Sequence, residues 1–165
     1  MEKEAGLYRN KKVVVQEFCR DGELSSDFET TICLVFFDNM VPSGVVDSII
    51  LRIATACPLG IWVAGENNDE IFEKLLSVLS TFESKAGHIM TGVATTNCIA
   101  EAADVFLLSA IPDMTRWQHW NSYRILIVDA NSWVKSSVPR EARYDCRDKF
   151  LSTVALIQGI RGITP

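Results

Sequence analysis

The chain reads as an α/β protein: a three-layer, mostly parallel, doubly wound sheet with helices on both faces and an added N-terminal edge strand. Three observations predict this. Four apolar runs, residues 31–37, 60–64, 88–93 and 124–128, recur at roughly thirty-residue intervals. They lack the apolar/polar alternation of a half-exposed strand, as expected of strands covered on both faces. The sequence between them carries helix-period apolar stripes, so strand and helix alternate in the order that right-handed crossovers require. A length of 165 residues, 48% hydrophobic and 22% charged, suffices for one domain spanning 1–165 with a sizeable core and leaves little room for a second.

Each element has its own signal. Residues 1–10 are polar and are expected to be flexible. Residues 12–19 are valine-rich and run into Arg20-Asp21-Gly22, which predicts the edge strand and a turn. Val46, Ile49, Ile50, Ile53, Ala54 and Cys57 follow the i, i+3, i+4, i+7 rule, and Pro58 ends that first helix. After the strand at 60–64, Asn67 offers an N-cap with Glu70 three residues on. Ile71, Phe72, Leu75, Leu76, Leu79 and Phe82 then form one apolar stripe with Leu76 at its centre. A third helix begins near Thr96 or Asn97, buries Ile99, Ala102, Ala103, Phe106, Leu107 and Ala110, and stops at Pro112. Residues 112–123 make a connection longer than an ordinary helix-to-strand loop. A C-terminal helix is expected over 140–158, with Ala142, Cys146, Phe150, Val154 and Ile157 inward and Gly159 as its stop. Asp145 and Lys149 stand at i, i+4, so its charged half reads as an ion-paired solvated face rather than a nucleic-acid surface.

Composition narrows the function classes. A net charge of -5 disfavours nucleic acid and anionic lipid and favours a basic partner. No apolar stretch approaches the ~18 residues that span a bilayer, and the start Met1-Glu2-Lys3-Glu4-Ala5 is too polar for a signal peptide. A cytoplasmic location is expected. The five cysteines are odd in number and widely spaced, which predicts reduced thiols rather than disulfides.

Catalytic motifs are missing from the sequence. It holds no G-x-x-x-x-G-K-[ST], G-x-G-x-x-G, G-x-S-x-G, C-x-x-C or H-E-x-x-H, and Gly65 is followed by Glu66, which would repel a phosphate. Of the two histidines, His88 opens an apolar strand and reads as packed, which leaves His119. Neither a catalytic residue, a resident metal nor a cofactor is predicted. Open parallel sheets bind ligands outside the carboxyl ends of their strands. That rule singles out Asp38, Asn39, Glu66, Asn67, Thr95 and Asp129 as a candidate crevice. The carboxylates of Asp38, Glu66 and Asp129 could ligate Mg²⁺ or Ca²⁺ or serve as acid and base, but Asp, Asn and Thr are also the preferred caps and turn formers at such positions. Trp117, His119, Trp120 and Tyr123 form a candidate protein interface, because Trp and Tyr supply large, rigid contact area. The competing use of the same side chains is to fold under their loop and seal one end of the sheet.

Cys57 stands before an apolar strand that contains Trp62 and Gly65, and a later strand beginning at Met90-Thr91 leads into a helix. In these features the stretch 31–130 resembles a family of small bacterial α/β domains of unknown function. The resemblance implies the fold and a bacterial source and brings no catalytic residue. Val93-Ala94-Thr95 stands where aromatic or histidine residues often occur in that family. The expected function is a non-enzymatic cytosolic protein-binding module of the immunity-protein or accessory-subunit kind. The alternative is a small-molecule- or metal-binding α/β domain, hydrolases included, and a third class is a homodimer built on the edge strand or the C-terminal helix.

Overall fold

A computed structural model of the chain describes residues 1–24, 26–38, 40–81, 89–128, 133 and 140–165, with the side chains of 140–146 left aside. In chain order these form β1 (Glu2–Tyr8), β2 (Lys11–Phe18), β3 (Thr31–Phe37), α1 (Ser43–Thr55), β4 (Gly60–Gly65), α2 (Asn68–Thr81), β5 (Met90–Ala94), α3 (Ile99–Ser109), β6 (Ser122–Val128) and α4 (Arg140–Gln158). Short 3-10 turns at Phe28–Thr30 and Met114–His119 precede β3 and β6. The strands make one sheet in the order β1-β2-β6-β3-β4-β5, parallel throughout except for β1 on β2. The three-layer α/β architecture is as the apolar runs predict.

β3 is buried along its whole length and supplies side chains to two cores. Cys33, Val35 and Phe37 face Ile49 and Ile53 of α1 and Ile71 and Leu75 of α2. Ile32, Leu34 and Phe36 face Ala102 and Phe106 of α3 and Phe150, Val154 and Ile157 of α4. Each large apolar side chain so enclosed contributes about 1.5–3 kcal/mol, which is why the unbroken runs identify these strands. The alanines of α3 let its backbone approach the sheet closely.

Several expectations need correction. Residues 1–10 are not a flexible tail: Glu2–Tyr8 is a strand that buries Ala5 and Tyr8, and Leu7 exchanges backbone hydrogen bonds with Thr164 at 2.7 and 2.9 Å. β1 is therefore the edge, and the valine-rich β2 lies one place inward between β1 and β6. The third run forms a strand only from Met90, and His88 lies outside the described residues. α3 starts at Ile99 because the Thr96 hydroxyl accepts the Cys98 N–H at 3.1 Å ahead of it. Leu76 is 45% exposed, since only Ile71 and Leu75 of α2 are enclosed by the sheet. The expected Asp145–Lys149 pair lies outside the described side chains, and Lys149 is ion-paired with Asp38.

Beside α1, the same face of β2 and β6 is covered by the connection from β2 to β3, through Leu24 and Phe28, and by Trp133, whose indole N–H donates to the Phe18 carbonyl at 3.1 Å. α1 anchors that connection: Arg52 donates to the carbonyls of Arg20 and Gly22. Under it lies Arg124, 2% exposed, bonded to Glu2 at 2.6 Å, Gln16 at 2.9 Å and Asp27 at 3.4 Å. Burial pushes the neighbouring Cys33 thiol far above its ordinary pKa, against the pull of the Arg124 guanidinium.

Exposure rather than stripe position decides what truncation costs here. Phe106→Ala is expected to lower stability by about 3–5 kcal/mol, and Leu76→Ala by less than about 1 kcal/mol. Urea titrations of the two variants check this, and equal losses would show that α2 or α3 is wrongly placed.

Candidate functional site

Two regions compete, at opposite ends of the sheet. At the carboxyl end, β4 and β5 are neighbours, yet the chain leaves β4 for α2 on one face and β5 for α3 on the other. Their loops part, and such a divergence opens a crevice. The result is an open depression of 530 Å³ lined by Gly65, Glu66, Asn67, Asn68, Thr95, Thr96 and Asn97. Gly65 has φ +115°, and a Cβ there would stand 2.1 Å from the Phe37 carbonyl oxygen, so only glycine lets the loop turn away this tightly. Asn67 follows at φ 57°, a left-handed conformation that asparagine tolerates. The Gly65 N–H donates to the Thr96 carbonyl at 3.1 Å and ties the two loops together.

The crevice gathers Glu66, Asn67 and Thr95 from the candidate list and adds Asn68, Thr96 and Asn97. It does not gather Asp38, which is held by Lys149 of α4 and is absent from the lining. Asn39 and Asp129 lie outside the described residues. Among the described residues no three His, Cys, Asp or Glu side chains converge as metal ligands. The Thr96 hydroxyl donates to Glu101 at 2.8 Å, so the start of α3 is served by its own residues. With Glu66 on the rim, Asp69 and Glu70 in the first turn of α2 and no lysine or arginine among the described lining residues, the depression disfavours anions. It offers amides and hydroxyls to neutral or cationic groups.

At the amino end, the aromatic connection splits into two parts. Trp120 and Tyr123, expected at the interface, are buried within the fold. Trp120 donates from Nε1 to the Ser122 carbonyl at 3.1 Å, and its ring stands 5.0 Å from Tyr123 and 5.1 Å from the Lys11 ammonium. Tyr123 donates to the Ala110 carbonyl at 3.3 Å and meets Phe106 edge to face at 5.5 Å. These two side chains seal the sheet beneath the end of α3. Trp117 and His119 remain outside, Trp117 at 47% exposure with its ring 5.2 Å from Trp120. Asp113 fixes the turn that carries them by accepting the Thr115 N–H at 2.8 Å.

The structure adds neighbours that the sequence pattern hid. Val105, Leu108, Ile111, Met114 and Trp117 follow at three-residue intervals, and all are exposed, Met114 at 90%. Val105 and Leu108 occupy the outer side of α3, whose inner side is also apolar. Apolar side chains on both sides of a helix blur the periodic signal that would mark an outward stripe.

Burial pushes the Tyr123 phenol up to about 12 from 10.0, with Arg9 pulling the other way. The folded chain therefore holds this proton to higher pH than the unfolded chain does. The associated stability is complete below pH 10 and is lost as the pH rises from 10 towards 12. Tyr123→Phe is expected to flatten that alkaline loss in thermal melts, and parallel curves for the two proteins would contradict the assignment. Comparison of the chain with models of protein families, with curated proteins and with solved structures finds no match.

Proposed function

We propose that the chain is a non-catalytic protein-binding module that docks its partner on the row from Val105 to Trp117. One observation carries the reading: five large apolar side chains are exposed along one stretch of chain, Val105 and Leu108 on α3, Ile111 in the connection after it, and Met114 and Trp117 on the 3-10 turn. Single exposed hydrophobes are ordinary, but a concentrated set marks an interaction surface. Glu101 and Asp104 are exposed on the same helix, and with a net charge of -5 they favour a basic partner and fast, salt-sensitive association. An accessory or immunity-type role in a bacterial cytoplasm is consistent with this. It is also consistent with Cys33, Cys57 and Cys98 being free thiols and with no described helix being long and apolar enough to cross a membrane.

The test uses the partner that co-purifies from the native host. Trp117→Ala is expected to weaken its binding by about 2 kcal/mol, a thirtyfold loss typical of a hot spot, while leaving thermal stability nearly unchanged. Trp120→Ala is expected to lower stability instead. Undiminished affinity of folded Trp117→Ala would end the interface reading.

A second reading is favoured by the crevice between β4 and β5. Its amide and hydroxyl lining suits a small neutral or amine-bearing polar molecule. Titration with polyols, amines and inorganic phosphate, followed by backbone amide NMR shifts, should perturb 65–68 and 95–97 with the first two classes and not with phosphate. No shift with any of them would leave these residues as turn formers.

A further inference from the structure

The two edges of the sheet are finished differently. At β1 the edge carries Glu2, Lys3 and Glu4, is interrupted by a bulge between Glu4 and Gly6, and has the backbone N–H and C=O of Leu7 bonded to Thr164. These are devices that keep an edge from pairing with another chain. Among the described residues β5 has none of them. Residues 89–97 carry no charge and no proline, and among the described residues β5 pairs only with β4.

The register shows which backbone groups β5 leaves open. Met90 donates its N–H to Leu59 beside β4, and in a parallel pair alternate residues bond to the same neighbour. Met90, Gly92 and Ala94 therefore face β4, and the N–H and C=O of Thr91 and Val93 face outward. Two such strands placed antiparallel with Gly92 opposite Gly92 set Thr91 against Val93 of the second copy, twice. Each of these pairs exchanges two hydrogen bonds. The central pair comes closest, and it is the position against which the Trp62 indole packs: a Cβ on Gly92 would stand 2.0 Å from the indole nitrogen. Glycine at such a point accommodates a close backbone approach.

α2 supplies a second, independent observation. Lys74 reaches Asp47 of α1 at 2.8 Å, which fixes the side of α2 that faces inward along the sheet. At 100° per residue, Phe72, Leu76 and Leu79 fall on the opposite flank, towards the open edge. Leu76 is 45% exposed and the other two are half-buried. The stripe is wider than the sheet beneath it, and its uncovered part adjoins β5.

We propose that this surface is a homodimer interface in which two copies pair β5 antiparallel about a two-fold axis at Gly92 and pack the Phe72–Leu76–Leu79 flanks of their α2 helices together. A second copy fits because the strand is uncharged and self-complementary in that register, and because the two-fold axis puts both α2 flanks on the same face. The pairing yields one continuous twelve-stranded sheet from two copies of the six-stranded one. It leaves the Val105–Trp117 row free and does not depend on the function proposed for it.

The experiment is sedimentation of the full chain over a concentration series, with amide hydrogen exchange read at both ends of the series. The expected result is a monomer–dimer equilibrium in which the Thr91 and Val93 amides slow as dimer forms, while those of Met90 and Gly92 are protected throughout. Thr91→Pro removes an outward N–H without touching the β4 ladder and should weaken the dimer about tenfold or more. Leu76→Asp, at an exposed position, sets like charges against each other and should do the same. A chain that stays monomeric at its highest soluble concentration overturns the proposal. So does a dimer that survives either substitution in folded protein, or one in which the Thr91 and Val93 amides exchange as fast as in the monomer.

Discussion

The buried guanidinium of Arg124 is the interaction on which the N-terminal half of the sheet depends. Removing such a charge from water costs several kcal/mol unless hydrogen bonds and counter-charges replace the lost solvent. Here they come from Glu2 on β1, Gln16 on β2 and Asp27 in the connection to β3, three separate stretches of chain. Only when all three have assembled around β6 is the charge accommodated, and even then its Nε has no hydrogen-bond partner among the described residues. The cluster explains why a polar N-terminal segment is recruited as a strand. It also explains how β6 comes to sit between two parallel neighbours with only a loop over this part of its face.

What could be read from the sequence follows from the range of the forces involved. The central strands were legible because burial on both faces leaves a local mark, an unbroken apolar run. β1 was not, because Glu2, Lys3 and Glu4 look like solvated tail until Arg124, distant in sequence, gives Glu2 a partner. The inward place of β2 depends on which strand lies beside it, and no local pattern encodes that. The strand-end rule found Glu66, Asn67 and Thr95 but could not see that Asp38 is claimed by Lys149, 111 residues away. Leu76 and Val105 show the opposite limit: apolar periodicity says that a side chain avoids water, not whether its cover belongs to the same molecule.

The functional surfaces share a structural basis. Edge-to-face aromatic contacts run from Trp117 through Trp120, Tyr123 and Phe106 to Trp62, at centroid distances of 5.0 to 6.0 Å. One end of this series is the exposed turn after α3, and the other lies over Gly92 on the open edge. Interlocked rings of this kind hold their positions at little entropic cost on binding. Both ends are thus presented rigidly, the condition under which exposed apolar area converts to affinity. The crevice at the carboxyl end has no such backing, and its Thr96 hydroxyl is engaged by Glu101 and the Cys98 N–H.

The central claim is that the apolar side chains left exposed by this fold are contact surfaces rather than unfilled core. Hydroxyl-radical footprinting tests it most directly, on the chain alone across concentration and then in its isolated native complex. The account predicts that Leu76 loses labelling as concentration rises, and that Met114 and Trp117 lose labelling only in the complex. Equal labelling of all three side chains in every state would contradict it.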